Sequence, residues 1–122
     1  MGLDTSHNCW HGPYSAFMRF RREIARTIGV HLDAMQGFSG DAPCVLWSAL
    51  KPDPLHVLLN HSDCDGTIEH QDCKPIADRL YEIMPLLPEG TDGAGYNWRE
   101  QAKQFADGLM AAHASGESVE FR

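Results

Sequence analysis

Three stretches of this 122-residue chain repeat apolar side chains at the 3.6-residue spacing of a helix, and no other feature constrains the fold as much. In the first, Phe17, Phe20, Ile24 and Ile28 recur with Ala16 alongside. Pro13 suits a first turn and Gly29 a C-terminal stop, so a helix is predicted over about residues 13–28. In the second, Ile76, Leu80, Ile83 and Leu87 trace one face over about residues 73–84. Asp72 can act as its N-cap, Pro75 fits the first turn, and Pro85 and Pro88 end it. In the third, Trp98, Ala102, Phe105, Leu109 and Ala112 follow a capping-box start at Asn97 and Glu100, and Gly116 stops the run.

Strand signals are weaker. Residues 55–59 are apolar on both parities, as expected of a central strand. Residues 2–6, 44–47 and 118–121 are further short candidates, and residues 30–54 are broken up by Gly37, Gly40, Pro43, Pro52 and Pro54. The expected fold is α+β, or a small α/β, with three helices packed on a small sheet in a single domain.

The charge is −7 overall but unevenly spread. Residues 1–30 carry four arginines against Asp4 and Glu23, so the one basic patch lies on the first helix, while the rest of the chain is strongly acidic. General nucleic-acid binding is not expected. No apolar run reaches the roughly 20 residues a membrane span needs, and residues 1–6 lack the features of a secretory signal, so a cytoplasmic location is expected. Four cysteines in such a chain read as thiols or metal ligands rather than as a disulfide framework.

Two loops carry the residue types of a site. The segment from Asn60 to Gly66 holds His61, Asp63, Cys64 and Asp65, just ahead of the second helix. As an EF-hand loop it places His61, Asp63 and Asp65 at the first, third and fifth positions, Gly66 at the glycine and Asp72 at the twelfth. Histidine and a short aspartate are poor occupants of the first and last positions for calcium. As a zinc site it offers His61 and Cys64, then His70 and Cys73, in two pairs with two-residue gaps. The plainest reading is turn chemistry: Asp63 and Asp65 on backbone amides, Gly66 at positive φ, Cys64 as filler. The other loop has His7 and His11 on either side of Cys9, and an extended backbone would point all three one way and Trp10 into the core. Cys9 beside a histidine could also serve as a nucleophile. Each loop precedes a helix, whose free amides suit an anion, and Arg19 would lie within reach.

The strings Ser6-His7-x-Cys9-Trp10-His11-Gly12 and Asn60-His61-Ser62-Asp63-Cys64-Asp65-Gly66 resemble those of small proteins encoded by phages and prophages. No activity is assigned to these, so the resemblance transfers no functional residue. It implies an accessory role in the host cytoplasm, in which such proteins sequester a host signal or block a host protein.

The function expected from the residues is non-catalytic binding of a small, phosphorylated ligand. Its pocket would be formed by His7, Cys9, Trp10, His11 and Arg19 with His61, Asp63 and Asp65. The alternatives are a zinc- or calcium-binding protein with its ligands among His61, Asp63, Cys64, Asp65, His70 and Cys73, of which a metal-dependent hydrolase is one form, and an inhibitor that contacts a host protein. Self-association into a homo-oligomer is left open. One geometric question separates these readings, which is whether the two loops meet.

Overall fold

A computed structural model describes residues 2–122. Its architecture is α+β, with four helices and two antiparallel strand pairs. The chain begins with β1 (Gly2–Asp4), which turns back through a short 3-10 turn to pair with β2 (His11–Pro13), placing Leu3 opposite Gly12. Helix α1 (Tyr14–Thr27) follows directly, with Pro13 at its N-cap. After an irregular segment come the short α2 (Leu55–Leu59) and β3 (Thr67–Ile68). Then follow α3 (His70–Ile83), α4 (Trp98–Ser115) and β4 (Val119–Glu120), which pairs with β3.

The three long helices form where the apolar periodicity places them. Asn97 Oδ1 accepts from the amide of Glu100, and Gly116 closes α4 in the left-handed region at φ 68°. Their buried faces meet in one core. Trp10 stacks on Phe20 at 5.3 Å and meets Phe17 edge-on at 5.4 Å, and Phe105 of α4 lies 5.8 Å from Phe20. Removing each such side chain from water contributes roughly 1.5–3 kcal/mol, so these aromatics dominate the packing of α1 on α4. Helix α3 packs against α4 and brings Ile76, Leu80 and Ile83 to the same core.

The C-terminal strand ties the two ends of the chain together. Asp4 and Arg122 exchange backbone hydrogen bonds of 2.9 Å each, Thr5 bridges Phe121, and the Phe121 amide donates to Gly66 O at 2.9 Å. The strand pairs thereby form a laced ribbon with the C-terminus at its centre.

The structure departs from the sequence reading in four places. Residues 55–59 are helical. Asp53 Oδ1 accepts from the Leu55 amide and starts the turn, and Leu55, Leu58 and Leu59 are buried at helical spacing while Val57 faces solvent. Helix α3 starts three residues early, so Asp72 lies inside its first turn and Glu69 holds the cap position. Residues 44–47 form no strand: Val45 makes an isolated bridge to Met35, and Trp47 begins a 3-10 turn. The helices are four rather than three, with a sheet in two pairs.

One contact fixes the first loop to α4. A Cβ on Gly108 would lie 2.5 Å from Cys9 Sγ and 2.7 Å from His7 O. Glycine inside a helix costs about 1 kcal/mol relative to alanine, and here that cost admits the loop. Gly108→Ala is expected to destabilise the fold by a net ~1–3 kcal/mol, because backbone blocks the new methyl. Urea unfolding should show a lower midpoint at an unchanged slope; a midpoint equal to or above wild type would contradict this docking.

Candidate functional site

The loop of residues 7–11 is bent rather than extended. His7 and Asn8 both take left-handed backbone, at φ 60° and 58°, which is uncommon outside glycine and costs free energy unless the surroundings over-determine it. They do so here. His7 Nδ1 lies 2.9 Å from Ser6 Oγ and its Nε2 3.1 Å from Glu117 Oε1. Gln104 Nε2 donates to Asn8 O at 3.0 Å. His11 bonds Asp4 through one ring nitrogen and Asn8 Oδ1 through the other. The bend breaks the alternation expected of an extended loop: Cys9 and Trp10 are both in the core, and His11 is exposed.

Cys9 is not placed to act as a nucleophile. Burial is the main reason its thiol is pushed up to about 12, with Cys73 adding to the rise and a hydrogen bond from Thr5 opposing it. Trp10 faces the core as expected, and its indole N–H is buried with no acceptor.

The loop of residues 60–66 is likewise closed on itself. His61 Nδ1 lies 2.7 Å from Ser62 O and Nε2 2.8 Å from Thr67 O, and its ring packs 4.0 Å from that of Phe121. Gly66 has the expected positive φ, 86°. The turn is organised by Ser62, whose Oγ accepts from the Cys64 amide, and not by the two aspartates. Beneath it lies Arg21, only 4% exposed, donating to His61 O at 2.6 Å and Leu59 O at 3.4 Å. Burial lowers the Arg21 pKa, and the nearby Asp63 carboxylate opposes that shift.

The metal ligand sets do not assemble. Among the described residues no group of three or more His, Cys, Asp or Glu side chains converges. Cys64 and Asp65 are exposed on the loop, while Cys73 is buried with its thiol directed at Glu69 O, 3.4 Å away. His70 stacks on His113 at 5.5 Å and bonds His113 O. The reason is local. His70 and Cys73 belong to the first turn of α3, and β3 separates them from residues 61–65.

Nor do the two loops share a pocket. The C-terminal strand runs between them, pairing Thr5 on one side and Gly66 on the other. The depression beside His7 and Asn8 is walled by α4 and includes no residue of 60–66. Arg19 is distant from both loops in its contacts, held by Asp92 at 2.5 Å and lying over the rings of Tyr96 and Trp98.

A cleft with more open donors lies elsewhere, between the end of α1, residues 50–54, α2 and α3, with a volume of about 530 Å³. Lys51, His56 and Arg79 line it together with Asp53 and Glu82. Asp53 and Glu82 grip Arg79 from two sides, at Nε (3.1 Å) and Nη1 (2.7 Å), leaving its Nη2 without a partner among the described residues. Neither ring nitrogen of His56 is hydrogen-bonded among the described residues, although the ring leans on Trp47 at 5.2 Å. Lys51 has no carboxylate within 4 Å; among the described residues the only other such cation is the buried Arg21. The cleft's uncommitted polar groups are therefore mainly donors, and Ile28, Val30, Leu50 and two prolines supply an apolar wall.

Sequence reasoning missed this cleft because Lys51, His56 and Arg79 come from three segments and form no motif. The available signal was the proline pair around Asp53, which shapes the wall. The chain matches no protein-family model, no curated protein and no solved structure.

Two measurements follow from the thiols. Native protein should react rapidly with a thiol reagent at Cys44 and Cys64 only, and at all four cysteines once unfolded; fast labelling of Cys9 in the native state would contradict its burial. Cys9, Cys73 and Tyr81 all have raised pKa values when folded, to about 12 for Cys9 and Tyr81. Such groups hold protons longer in the folded state, so their contribution is complete below the unfolded pKa values near 9 and 10. It is lost as pH rises toward 12. Unfolding free energy should fall across this window, by at most about 1.4 kcal/mol per pH unit for the buried Cys9 and by less for Tyr81, whose side chain is more than a third exposed and screened by solvent; a flat profile would contradict it.

Proposed function

We propose that this chain binds a small, phosphorylated ligand without transforming it, in the cleft lined by Lys51, His56 and Arg79. The observation that carries the reading is that Lys51, a surface cation with no carboxylate partner, shares this cleft with unbonded donors of His56 and Arg79. An oxyanion accepts from all three, and charge-assisted bonds of this kind are the strong ones. Asp53 and Glu82 hold the Arg79 fork in place before any ligand arrives, which reduces the ordering cost of binding. The apolar wall suits a ring, so a nucleotide satisfies both halves of the cleft.

A binding role is favoured over a catalytic one because the cysteine that the sequence offered as a nucleophile is buried and protonated. In the setting that the phage resemblance implies, such a protein would sequester a host nucleotide signal in the host cytoplasm.

Thermal unfolding with inorganic phosphate and a panel of mononucleotides tests the reading. A ligand at 100 times its Kd adds about 2.7 kcal/mol to stability, enough for a clear rise in Tm. Lys51→Glu leaves the fold intact, since the side chain is exposed and unpaired, and should weaken binding at least tenfold. No rise with any member of the panel, or an equal rise in Lys51→Glu, would defeat the proposal.

A further inference from the structure

A second cation-bearing cleft adjoins the first. It has a volume of about 380 Å³ and is lined by Arg22, Arg26, His31 and Asp33 beside Leu32. Gly29 and Val30 line both clefts, so the two meet at the chain reversal after α1. Gly29 sits there in the left-handed region, at φ 79°, and a Cβ built on it would meet nothing within 4 Å. The ridge between the clefts is thus a bare saddle with open space above it.

The two clefts gather cations on an acidic chain. Together they present Arg22, Arg26, Lys51 and Arg79, the arginines paired with Asp33, Glu23, Asp53 and Glu82 and Lys51 without a carboxylate partner among the described residues, on a chain of net charge −7. The arginines of the second cleft are held only loosely. Arg22 pairs with Asp33 at 3.0 Å, with both side chains about half exposed, and Arg26 with Glu23 at 2.5 Å, with Arg26 68% exposed. Exposed pairs of this kind contribute little to stability, so a phosphate can replace the carboxylate at small cost. Each cleft alone falls in the ~300–1,000 Å³ range of small-molecule sites.

We infer that the two clefts are halves of one site for a ligand with two separated phosphate-bearing units, a dinucleotide, laid across the Gly29–Val30 saddle. This rests on the anion site proposed for the first cleft and extends it. One unit engages Lys51, His56 and Arg79; the other engages Arg22 and Arg26; the linking portion crosses Gly29, where a side chain would obstruct it. Occupying both clefts with one molecule makes the second contact intramolecular, and the affinity gain is large when the linker matches the span.

Calorimetric titration with AMP and with the linear dinucleotide pApA, at the same salt concentration, tests this. The dinucleotide is expected to bind at least tenfold more tightly than AMP. Arg26→Gln should cut that advantage to below threefold, as should Gly29→Asn, which places a side chain on the saddle using a residue that tolerates left-handed backbone. Lys51→Glu should weaken both ligands. If AMP binds and pApA binds no more tightly, the two-cleft inference fails while the single-cleft site stands. If the advantage survives in both Arg26→Gln and Gly29→Asn, the inference also fails. If neither ligand binds, the anion site itself is wrong and the inference falls with it.

Discussion

Arg21 sits where α1, α2 and the loop of residues 60–66 meet, and its buried guanidinium is the interaction on which their arrangement depends. A charge taken out of water is costly unless it is hydrogen-bonded. Arg21 recovers part of that cost by donating to Leu59 O at the end of α2 and to His61 O in the loop that follows. The rings of Phe17 and Phe38 lie 4.7 and 5.5 Å from the guanidinium carbon, so it is also held by cation–π contact. Three stretches of chain, α1, residues 59–61 and the segment around Phe38, are thereby joined at one side chain. With α2 fixed against α1, residues 50–54 are drawn alongside the C-terminal end of α1, and that juxtaposition is the cleft.

Much of this fold can be read from the residues. The long helices follow from apolar spacing, and the cap at Asn97 and the stop at Gly116 follow from local chemistry that tertiary packing does not alter. The leucine-rich run of residues 55–59 reads as a strand because its four apolar residues fit a buried strand as well as a helix turn. The deciding group was Asp53, whose side chain captures the Leu55 amide. Arg21 was equally hidden. It stands among three other α1 arginines that look alike in sequence, and only its position between Phe17 and the end of α2 sets it apart.

The two histidine-rich loops show why a density of ligand-type residues is a poor guide to a site. His7, His11 and His61 each commit both ring nitrogens to their own chain, and Cys9 and Trp10 are core residues. These groups hold strained or irregular backbone in place, as the left-handed pair His7–Asn8 requires. In the cleft the reverse holds: fewer polar residues, drawn from distant positions, and donors without partners. Recognition capacity lies in what the fold leaves unbonded rather than in what the sequence concentrates.

Amide chemical-shift mapping during a titration with AMP bears most directly on the site's location. Perturbations are expected to saturate together at residues 28–30, 50–53, 56 and 79, leaving residues 7–11 and 61–65 unmoved. Perturbations confined to the two histidine loops, with residues 50–56 and 79 silent, would contradict this location.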